Sequence, residues 1–496
     1  MRKVSGVSPS TSRSSPHEAV TVNSSTRRAT PVGFVDSSLC SAQTALWNGS
    51  VSVELLFPYL ERMDDGGFGA IDLMSPELAS CIVRRQENPL HVLRLGCARL
   101  QKTPANVWIS SRCLLGSVPS TQDLLELGIE TLATCGVRRI TCLDALNDVA
   151  AIERIAVICR AAGMEVSAAL IYLRSPFHDV RYYAQRAAHL AACRVHSLVL
   201  VDLAGSINPI AARNLLSAVR AAAGALPIEF KTHCRSGVAE MSCFDALSSG
   251  ADVLHTVTES LSGGWSLPSA GYFIEHLSRW HTPVTIIPDI ITEMDEYFSA
   301  LAAAHNLARG RHALPDASAE RFQIPVALLR QAAAVADECR VPVETVLQEC
   351  VLVQQELGWP TLASPIGAIV MGQAILNIRD AARFANIAPE AFAYLRGEHG
   401  MPPGPMDAIL RARAAQSRAA SAAAQPLGSA SNAEQRLLSH WFPDRDVTHL
   451  YSVPRPVHGA TPEQYLKEQL AAFPALQSIT VRKGELVFEL NRRAAP

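Results

Sequence analysis

Short apolar runs alternate with longer amphipathic stretches over roughly the first three fifths of the chain. The stretches, such as residues 179–192 and 209–223, place apolar side chains every three to four positions, which is typical of helices that bury one face. The runs have the length and composition of buried parallel strands. They are residues 32–36, 68–74, 105–111, 138–144, 165–172, 196–202, 227–233 and 251–257. Eight such strand–helix units predict an α/β fold, a TIM (β/α)8 barrel, over residues 32–309.

Beyond the barrel the pattern changes. Residues 310–410 show only helical periodicity and predict a helical second domain, which ends at a Pro- and Gly-rich segment. Residues 411–433 are rich in Ala and Ser and predict either a frayed helix or a flexible linker, with the linker favoured beyond Gln416. Residues 434–496 predict a small unit with one helix at 462–472 and two short strands, 478–482 and 485–490.

The N-terminal segment, residues 1–31, is rich in Ser, Thr and Arg and has no hydrophobic region of the secretory type. It predicts a disordered tail. Glu18 is the single acidic residue before residue 36, so a transit peptide is the alternative interpretation of this composition.

Composition narrows the functional classes. Of the 496 residues, 48% are hydrophobic and 18% are charged, with a net charge of -2. No Lys/Arg stripe suggests a nucleic-acid surface, and no apolar run has the roughly 18–20 residues that cross a bilayer. The 12 cysteines form no CxxC pair, which indicates reduced thiols and a cytoplasmic protein.

In a TIM barrel, functional residues lie where the strands end. The residues to consider are therefore those that close the predicted strands, namely Asp36, Ser110, Asp144, Asp202 and His233.

Several segments then carry a family resemblance. They are GFGAIDLM (67–74), LDALNDV (143–149), DLAGSINP (202–209), LPIEFKTHCRSGVAEM (226–241), SLSGGWSLP (260–268), ELGWPTLASP (356–365), GQAILNI (372–378) and YLRGEHGMPPGP (394–405). In this order and spacing they resemble the carboxyltransferase domain shared by pyruvate carboxylase, the oxaloacetate decarboxylase alpha subunit and transcarboxylase. The resemblance covers roughly residues 33–405. It implies a TIM barrel with a helical funnel-like domain, and transfer of a carboxyl group between biotin and a 2-oxo acid over a divalent metal.

The metal ligands that the resemblance implies are mostly replaced. Ser41 stands where relatives have a metal-binding Asp, and Val201 stands where they have a carbamylated Lys. The metal-binding His-Thr-His pair reads Lys231-Thr232-His233, so His233 alone remains. A divalent ion needs several anionic or lone-pair donors, and a Lys ammonium offers none. We therefore predict no bound metal, with a residual site of His233 and Cys40, Cys234 or Asp202 as the alternative.

The substrate ligands that the resemblance implies are also altered. Cys40 and Ser110 stand where relatives have arginines that bind the 2-oxo acid. Thr44 stands at a substrate-binding Gln, and Ser364 falls on the threonine that shuttles a proton in relatives.

Charged residues next to these positions leave alternatives open. Arg112 and Arg235 either supply a displaced anion clamp or are ordinary rim arginines. Lys231 has three interpretations: it stabilises an enolate-like oxyanion, it forms a Schiff base, or it forms a structural ion pair with Asp202 or Asp36.

Other polar residues are interpreted structurally. Asp144 and Asn147 are predicted to fix a strand-to-helix turn, with Asn or Asp capping the next helix. His255 is predicted to satisfy a backbone group. Trp265 either narrows the pocket mouth or packs as core.

Three functions follow. The chain is a non-catalytic scaffold, a repurposed metal-independent lyase acting on a small oxo acid or thioester, or an orthodox carboxyltransferase that works with a separate biotin carrier protein. An AMKM-type biotinyl-lysine motif is absent from the sequence, so no cofactor is predicted on this chain. The expected partners are a second copy of the chain, as a homo-oligomer, and a separate biotin carrier or pathway enzyme.

The candidate catalytic residues are Lys231, His233, Asp202 and Ser364. The candidate substrate-binding residues are Asp36, Cys40, Ser41, Thr44, Ser110 and Arg112.

Overall fold

The computed structural model contains a closed barrel of eight parallel strands, in which each strand pairs with the next and β8 pairs with β1. The structure describes residues 30–52, 55–312, 314–417, 432–443, 445, 447, 450, 478–483 and 486–491. The barrel strands are β1 Gly33–Asp36, β2 Ala70–Met74, β3 Ala105–Ser110, β4 Arg139–Leu143, β5 Glu165–Ile171, β6 Ser197–Asp202, β7 Ile228–Thr232 and β8 Val253–Thr256. The TIM barrel prediction is confirmed, and each strand lies within its predicted run.

The strands form where the apolar runs predicted them, because nearly every residue of β2, β3, β4, β6 and β7 is buried. Parallel strands with both faces covered need continuous apolar sequence. Charged side chains inside such strands are therefore exceptions, and Asp72, Glu229 and Lys231 are three of them.

Helices surround the barrel, and side-chain caps set several of their starts. Asp148, Asp179 and Asn208 each accept hydrogen bonds from backbone N–H groups of the following first turn. The barrel helices are α1 Gln43–Trp47, α2 Leu60–Met63, α3 Pro76–Arg84, α4 Pro89–Cys97, α5 Gln122–Thr134, α6 Val149–Ala161, α7 Val180–Ala192, α8 Pro209–Ala223, α9 Ala239–Ser248, α10 Ala270–Arg279 and α11 Pro288–Ala304. A π-helical turn, Ser38–Ala42, follows β1, and short 3₁₀ turns lie at Phe57–Tyr59 and Glu259–Leu261.

The region after α11 is helical, as predicted. Its helices are α12 Ala317–Phe322, α13 Val326–Cys339, α14 Val343–Glu356, α15 Ile366–Arg379, α16 Pro389–Leu395 and α17 Ala408–Gln416. They share one apolar core with the carboxyl-end interior of the barrel, since Trp108, Leu143 and Val201 belong to the same buried cluster as Val326 and Ile366. The helical region therefore covers the end of the barrel where functional residues are expected.

The C-terminal part contains a helix that the sequence did not predict, α18 Ala433–Trp441, which packs on α5. The two predicted strands are present as an antiparallel pair, β9 Ser478–Lys483 and β10 Leu486–Asn491. The predicted helix at 462–472, nearly all of the predicted tail at 1–31 and most of the predicted linker lie outside the described residues. Within the described part, no helix is both long and apolar enough to span a membrane.

Candidate functional site

A cavity of about 330 Å³ lies between the carboxyl end of the barrel and the helical region. Trp108, Leu143, Val201 and Lys231 line it from the barrel strands, and residues of α13 and α15 line it from the other side. Five of the predicted site residues line this cavity: Ser41, Thr44, Lys231, His233 and Ser364. The barrel mouth is therefore open to a small ligand.

Lys231 is the buried cation of this cavity, with a side chain only 5% exposed. Its Nζ lies 3.2 Å from Asp72 Oδ2 and 3.5 Å from Ser37 Oγ, and 4.2 Å from the centre of the Trp108 ring. Burial alone would raise the pKa of Asp72, but the charge of Lys231, the nearby His255 and a hydrogen bond from Ser37 hold that pKa well below its usual range. Asp72 is therefore an ionised carboxylate beside the Lys231 ammonium.

The prediction that Lys231 pairs with Asp202 or Asp36 was wrong. Asp202 instead accepts hydrogen bonds from Ile207 N at 2.8 Å and Thr232 Oγ1 at 3.0 Å, which fixes the loop after β6. Asp36 accepts from both the backbone N–H and the hydroxyl of Ser38 at 3.0 and 2.9 Å. Each carboxylate is used by its own strand-to-helix turn, which leaves the inward-pointing Asp72 to pair with Lys231.

A row of buried charged and polar side chains runs from Lys231 down the barrel interior. His255 Nδ1 lies 3.8 Å from Asp72 Oδ2, and its Nε2 lies 2.9 Å from Glu229 Oε2. Glu229 also pairs with Arg139. Burial raises the pKa of Glu229, but Arg139 and His255 outweigh it and bring the pKa to about 2. The prediction that His255 satisfies a backbone group was wrong, because a carboxylate on the neighbouring strand reaches the ring.

His233 is held as a neutral ring at the cavity wall. Burial lowers its pKa to about 4, although a hydrogen bond to the Trp265 carbonyl opposes this. Nδ1 lies 2.6 Å from that carbonyl oxygen, so Nδ1 carries the proton and Nε2 has a free lone pair.

Three further candidates, like Asp36 and Asp202, do not line the cavity. Burial raises the pKa of the Cys40 thiol to about 12, so Cys40 is not a thiolate. The backbone of Ser110 pairs with Leu114. Arg112 forms ion pairs with Asp144, at 3.2 Å, and with Asp148.

Asp144 and Asn147 fix the turn between β4 and α6, as predicted. Asp144 accepts hydrogen bonds from the N–H groups of Leu146 and Asp148. Asn147 has a positive φ of 51° and bonds to the backbone of Ile171 in both directions. Asp148 is the residue that caps α6.

Arg235 and Trp265 lie beside the cavity rather than in its lining. Arg235 is buried and contacts the helical region, through the Ser318 hydroxyl at 2.9 Å and the Asp316 carboxylate at 3.5 Å. The guanidinium carbon of Arg330 lies over the Trp265 ring, 4.9 Å from the centre of that ring.

Sequence reasoning missed Asp72, Arg84, Glu77 and Arg330. Asp72 had a readable signal, a carboxylate in the middle of an otherwise apolar strand. Glu77 and Arg84 on α3 and Arg330 on α13 also line the cavity, but they are ordinary polar positions of amphipathic helices, which periodicity cannot distinguish from a solvated face.

Curated proteins of similar sequence are carboxylases and carboxyltransferases. A pyruvate carboxylase subunit of Methanocaldococcus jannaschii is 27% identical over 77% of this chain and 68% of that protein. The methylmalonyl-CoA carboxyltransferase 5S subunit of Propionibacterium freudenreichii is 23% identical over 76% of this chain and 75% of that protein. The chain matches no protein-family model.

The chain is a distant sequence homologue of pyruvate carboxylase and methylmalonyl-CoA carboxyltransferase subunits.

The fold of this carboxyltransferase homologue agrees with solved structures. The carboxyl transferase domain of Rhizobium etli pyruvate carboxylase, solved with pyruvate and biocytin, superimposes with a TM-score of 0.79 at 17% identity and covers 94% of this chain and 85% of that one. At that identity the likeness concerns the fold alone.

Proposed function

We propose that this carboxyltransferase homologue cleaves a small oxo acid next to its carboxylate without a divalent metal. The observation that carries the proposal is Lys231, a buried ammonium paired with Asp72 that faces a cavity large enough for such a ligand. The proposal takes from the relatives only the class of substrate, an oxo acid, that the names pyruvate carboxylase and 2-oxoglutarate carboxylase print.

The residues around the cavity do not fit a divalent metal of the family type. Of the described residues, Glu153, His189 and Cys193 form the one group of three potential ligands close enough to share an ion. They lie on α6, on α7 and directly after α7, away from the cavity. In the cavity itself, Lys231 has no lone pair when it is paired with Asp72, and Val201 has no donor atom. No step is therefore assigned to a metal.

The positive charge of Lys231 can replace that of a metal in an electrostatic role. In oxaloacetate the carboxylate that leaves is bonded to the carbon next to the ketone. When that bond breaks, CO2 leaves and its electron pair forms a C=C bond with the ketone carbon while the ketone oxygen takes the negative charge, which gives an enolate. An ammonium has three N–H donors, and Asp72 and Ser37 take two of them, so one remains for that oxygen. The enolate carbon then takes up a proton, for which the Ser364 hydroxyl and solvent are the available donors.

Other groups in the cavity favour an anionic substrate. Three basic residues, Arg84, Arg330 and Lys231, line the cavity, whereas Glu77 is the single acidic residue in the lining. His233, with its free Nε2 lone pair, can accept a hydrogen bond from a substrate hydroxyl or enol. The ion pair with Asp72 supports this electrostatic role over Schiff-base formation, which needs an unprotonated amine.

We propose two partners by analogy with the family. They are a second copy of the chain, in a homo-oligomer, and a biotin carrier on another chain. The Rhizobium etli domain was solved with biocytin, so the orthodox reaction with such a carrier is the second candidate function.

The test is CO2 release from oxaloacetate by the purified full chain, after metal analysis and in the presence of a chelator. We expect far less than one metal per chain and release that the chelator does not change. Lys231→Met should lower the rate by about 10²–10³-fold, the effect of removing one oxyanion donor. Lys102→Met, at an exposed lysine whose side chain is 72% exposed, is the matched control and should leave the rate unchanged.

The outcomes separate the alternatives. Metal near one per chain together with chelator-sensitive transfer to free biotin would restore the orthodox carboxyltransferase. Borohydride reduction that attaches substrate to Lys231 would assign a Schiff base instead. A folded, metal-free protein that turns over no oxo acid would indicate a non-catalytic scaffold. Because Lys231→Met leaves Asp72 buried and unpaired, at a cost of about 3–5 kcal/mol, the variant is also measured with Asp72→Asn, which should restore folding but not turnover.

A further inference from the structure

A second cavity, of about 340 Å³, lies next to the Lys231 cavity. Arg309, Arg311 and Arg330 line it, together with Trp265 and the backbone at Gly263 and Gly264. Ala45 and Arg330 line both cavities. None of the groups assigned to turnover above, apart from the shared Arg330, takes part in this second cavity.

The lining of this second cavity contains three arginines, all solvent-exposed, and no Asp or Glu. In the described part of the chain, half of the arginines of the barrel helices have an acidic partner, such as Arg213 with Asp245 and Arg279 with Glu275. Arg309 donates to the Ser299 hydroxyl at 2.9 Å and Arg330 to the Ala45 carbonyl at 2.5 Å. Within that same part no side chain pairs with Arg311. No carboxylate of the described residues therefore forms an ion pair with any of these three arginines.

The arginine-bearing segment is held in place by close backbone packing. The N–H of Gly310 donates to the Ser260 carbonyl at 2.8 Å, and the Trp47 indole donates to the Ala308 carbonyl at 2.7 Å. A Cβ on Gly263 would lie 2.4 Å from the Arg311 carbonyl oxygen, so this approach requires glycine. The backbone that carries Arg309 and Arg311 is thus fixed before any ligand arrives, which lowers the entropic cost of binding.

We propose that this second cavity binds the phosphate groups of a phosphate-bearing small molecule. Guanidinium forks bind phosphate oxygens in a bidentate manner, and a diphosphate carries enough negative charge to face three of them. A single carboxylate would leave two cations close together without a counter-charge. Since Arg330 and Ala45 form part of both cavities, the organic part of such a ligand can extend towards Lys231.

Inorganic pyrophosphate is the probe, and its binding to the full-length chain is measured by calorimetry. Arg311→Ala should weaken binding at least tenfold, and Arg309→Ala/Arg311→Ala at least a hundredfold. Arg311 has no described side-chain partner, so its removal should leave the melting temperature unchanged. Arg181→Ala is the matched control, because Arg181 is exposed on α7 and in none of the described ion pairs; it should bind like the parent chain. Raising the salt concentration should weaken binding.

Three results would overturn the proposal. They are no measurable pyrophosphate binding, binding that Arg311→Ala leaves unchanged, and citrate binding more tightly than pyrophosphate. This binding test does not depend on CO2 release, so the proposed reaction and the phosphate site can fail separately. ADP, compared with pyrophosphate, then distinguishes a nucleotide from a free diphosphate: tighter binding of ADP that is lost in Arg311→Ala extends the proposal to nucleotides.

Discussion

At the scale of single residues, burial decides the protonation states around the cavity. Asp72 and Glu229 are ionised because cations lie beside them, whereas His233 is neutral because burial outweighs its one hydrogen bond. Asp36 has no cation in contact, and burial raises its pKa to about 7 in spite of the hydrogen bonds from Ser38. The pKa values of two aspartates at one end of the barrel, Asp36 and Asp72, are thus shifted in opposite directions.

Asp36 gives a pH-dependent prediction. A carboxyl whose pKa is about 7 in the folded chain and about 3.9 in the unfolded chain binds its proton more tightly when folded. Its contribution to the free energy of unfolding therefore falls as pH rises from about 4 to about 7. Asp36→Asn removes that loss, so the stability difference between variant and parent should grow by up to about 4 kcal/mol across this range. Urea unfolding at several pH values measures it.

The control for that experiment is Asp123→Asn, at an exposed position in the first turn of α5. The contribution of His233 to the free energy of unfolding rises with pH between about 4 and 6.5. His233 is present in both proteins, so this contribution cancels in the difference between them. A difference that is flat between pH 4 and 7 would show that Asp36 is ionised in the folded chain.

At the scale of elements, α18 extends the barrel wall. Trp441 is only 1% exposed, and its backbone lies against Gly116, where a Cβ would come within 2.3 Å of the Trp441 carbonyl oxygen. Glu434 of the same helix pairs with Arg94 of α4 at 2.6 Å. The helix is thus part of the barrel core although it follows the helical region in sequence.

Trp441→Ala should lower the free energy of unfolding by about 3–5 kcal/mol, the usual cost of removing a large buried aromatic side chain. Glu434→Ala should cost about 1 kcal/mol or less, because its ion pair is partly exposed. Chemical denaturation measures both variants. Equal, small losses for the two would mean that α18 is not docked on α5 in solution.

At the scale of the whole molecule, the helical region shares its apolar core with the carboxyl end of the barrel, while the rest of the barrel has a buried cluster of its own. Leu143 and Val201 of the barrel pack in one cluster with Val326 and Ile366 of the helical region. Backbone hydrogen bonds also join the two, from Val326 N to the Leu203 carbonyl and from Thr361 N to the Ala145 carbonyl. The predicted boundary at residues 309–310 therefore lies between regions that stabilise each other.

We expect the full chain to unfold in a single transition by circular dichroism and by tryptophan fluorescence. A chain cut after residue 309 should aggregate, because Leu143, Val201 and their neighbours would face water. Circular dichroism and light scattering of the shortened chain test this. A shortened chain that is monodisperse and melts cooperatively would show that the barrel folds independently.

The barrel, the helical region and the pair β9–β10 could all be predicted from the sequence, since each depends on local periodicity that repeats along the chain. Lys231, His233, Ser41, Thr44 and Ser364 could also be identified, because functional residues of a barrel follow strand ends and because the resemblance marked these positions. The helix α18 was missed, since it has nine residues and its amphipathic pattern is too short to stand out from the neighbouring linker.

The contacts of these residues, in contrast, depend on the tertiary structure. Lys231 and Asp72 are 159 positions apart, and closure of the barrel is what brings β2 and β7 to face each other. Asp36 and Asp202 were equally good partners on charge alone, but their own turns use them. The arginines of both cavities come from helices and loops whose local sequence resembles a solvated surface. Charge pairing acts over a few ångströms in space, whereas sequence patterns report only on neighbours along the chain.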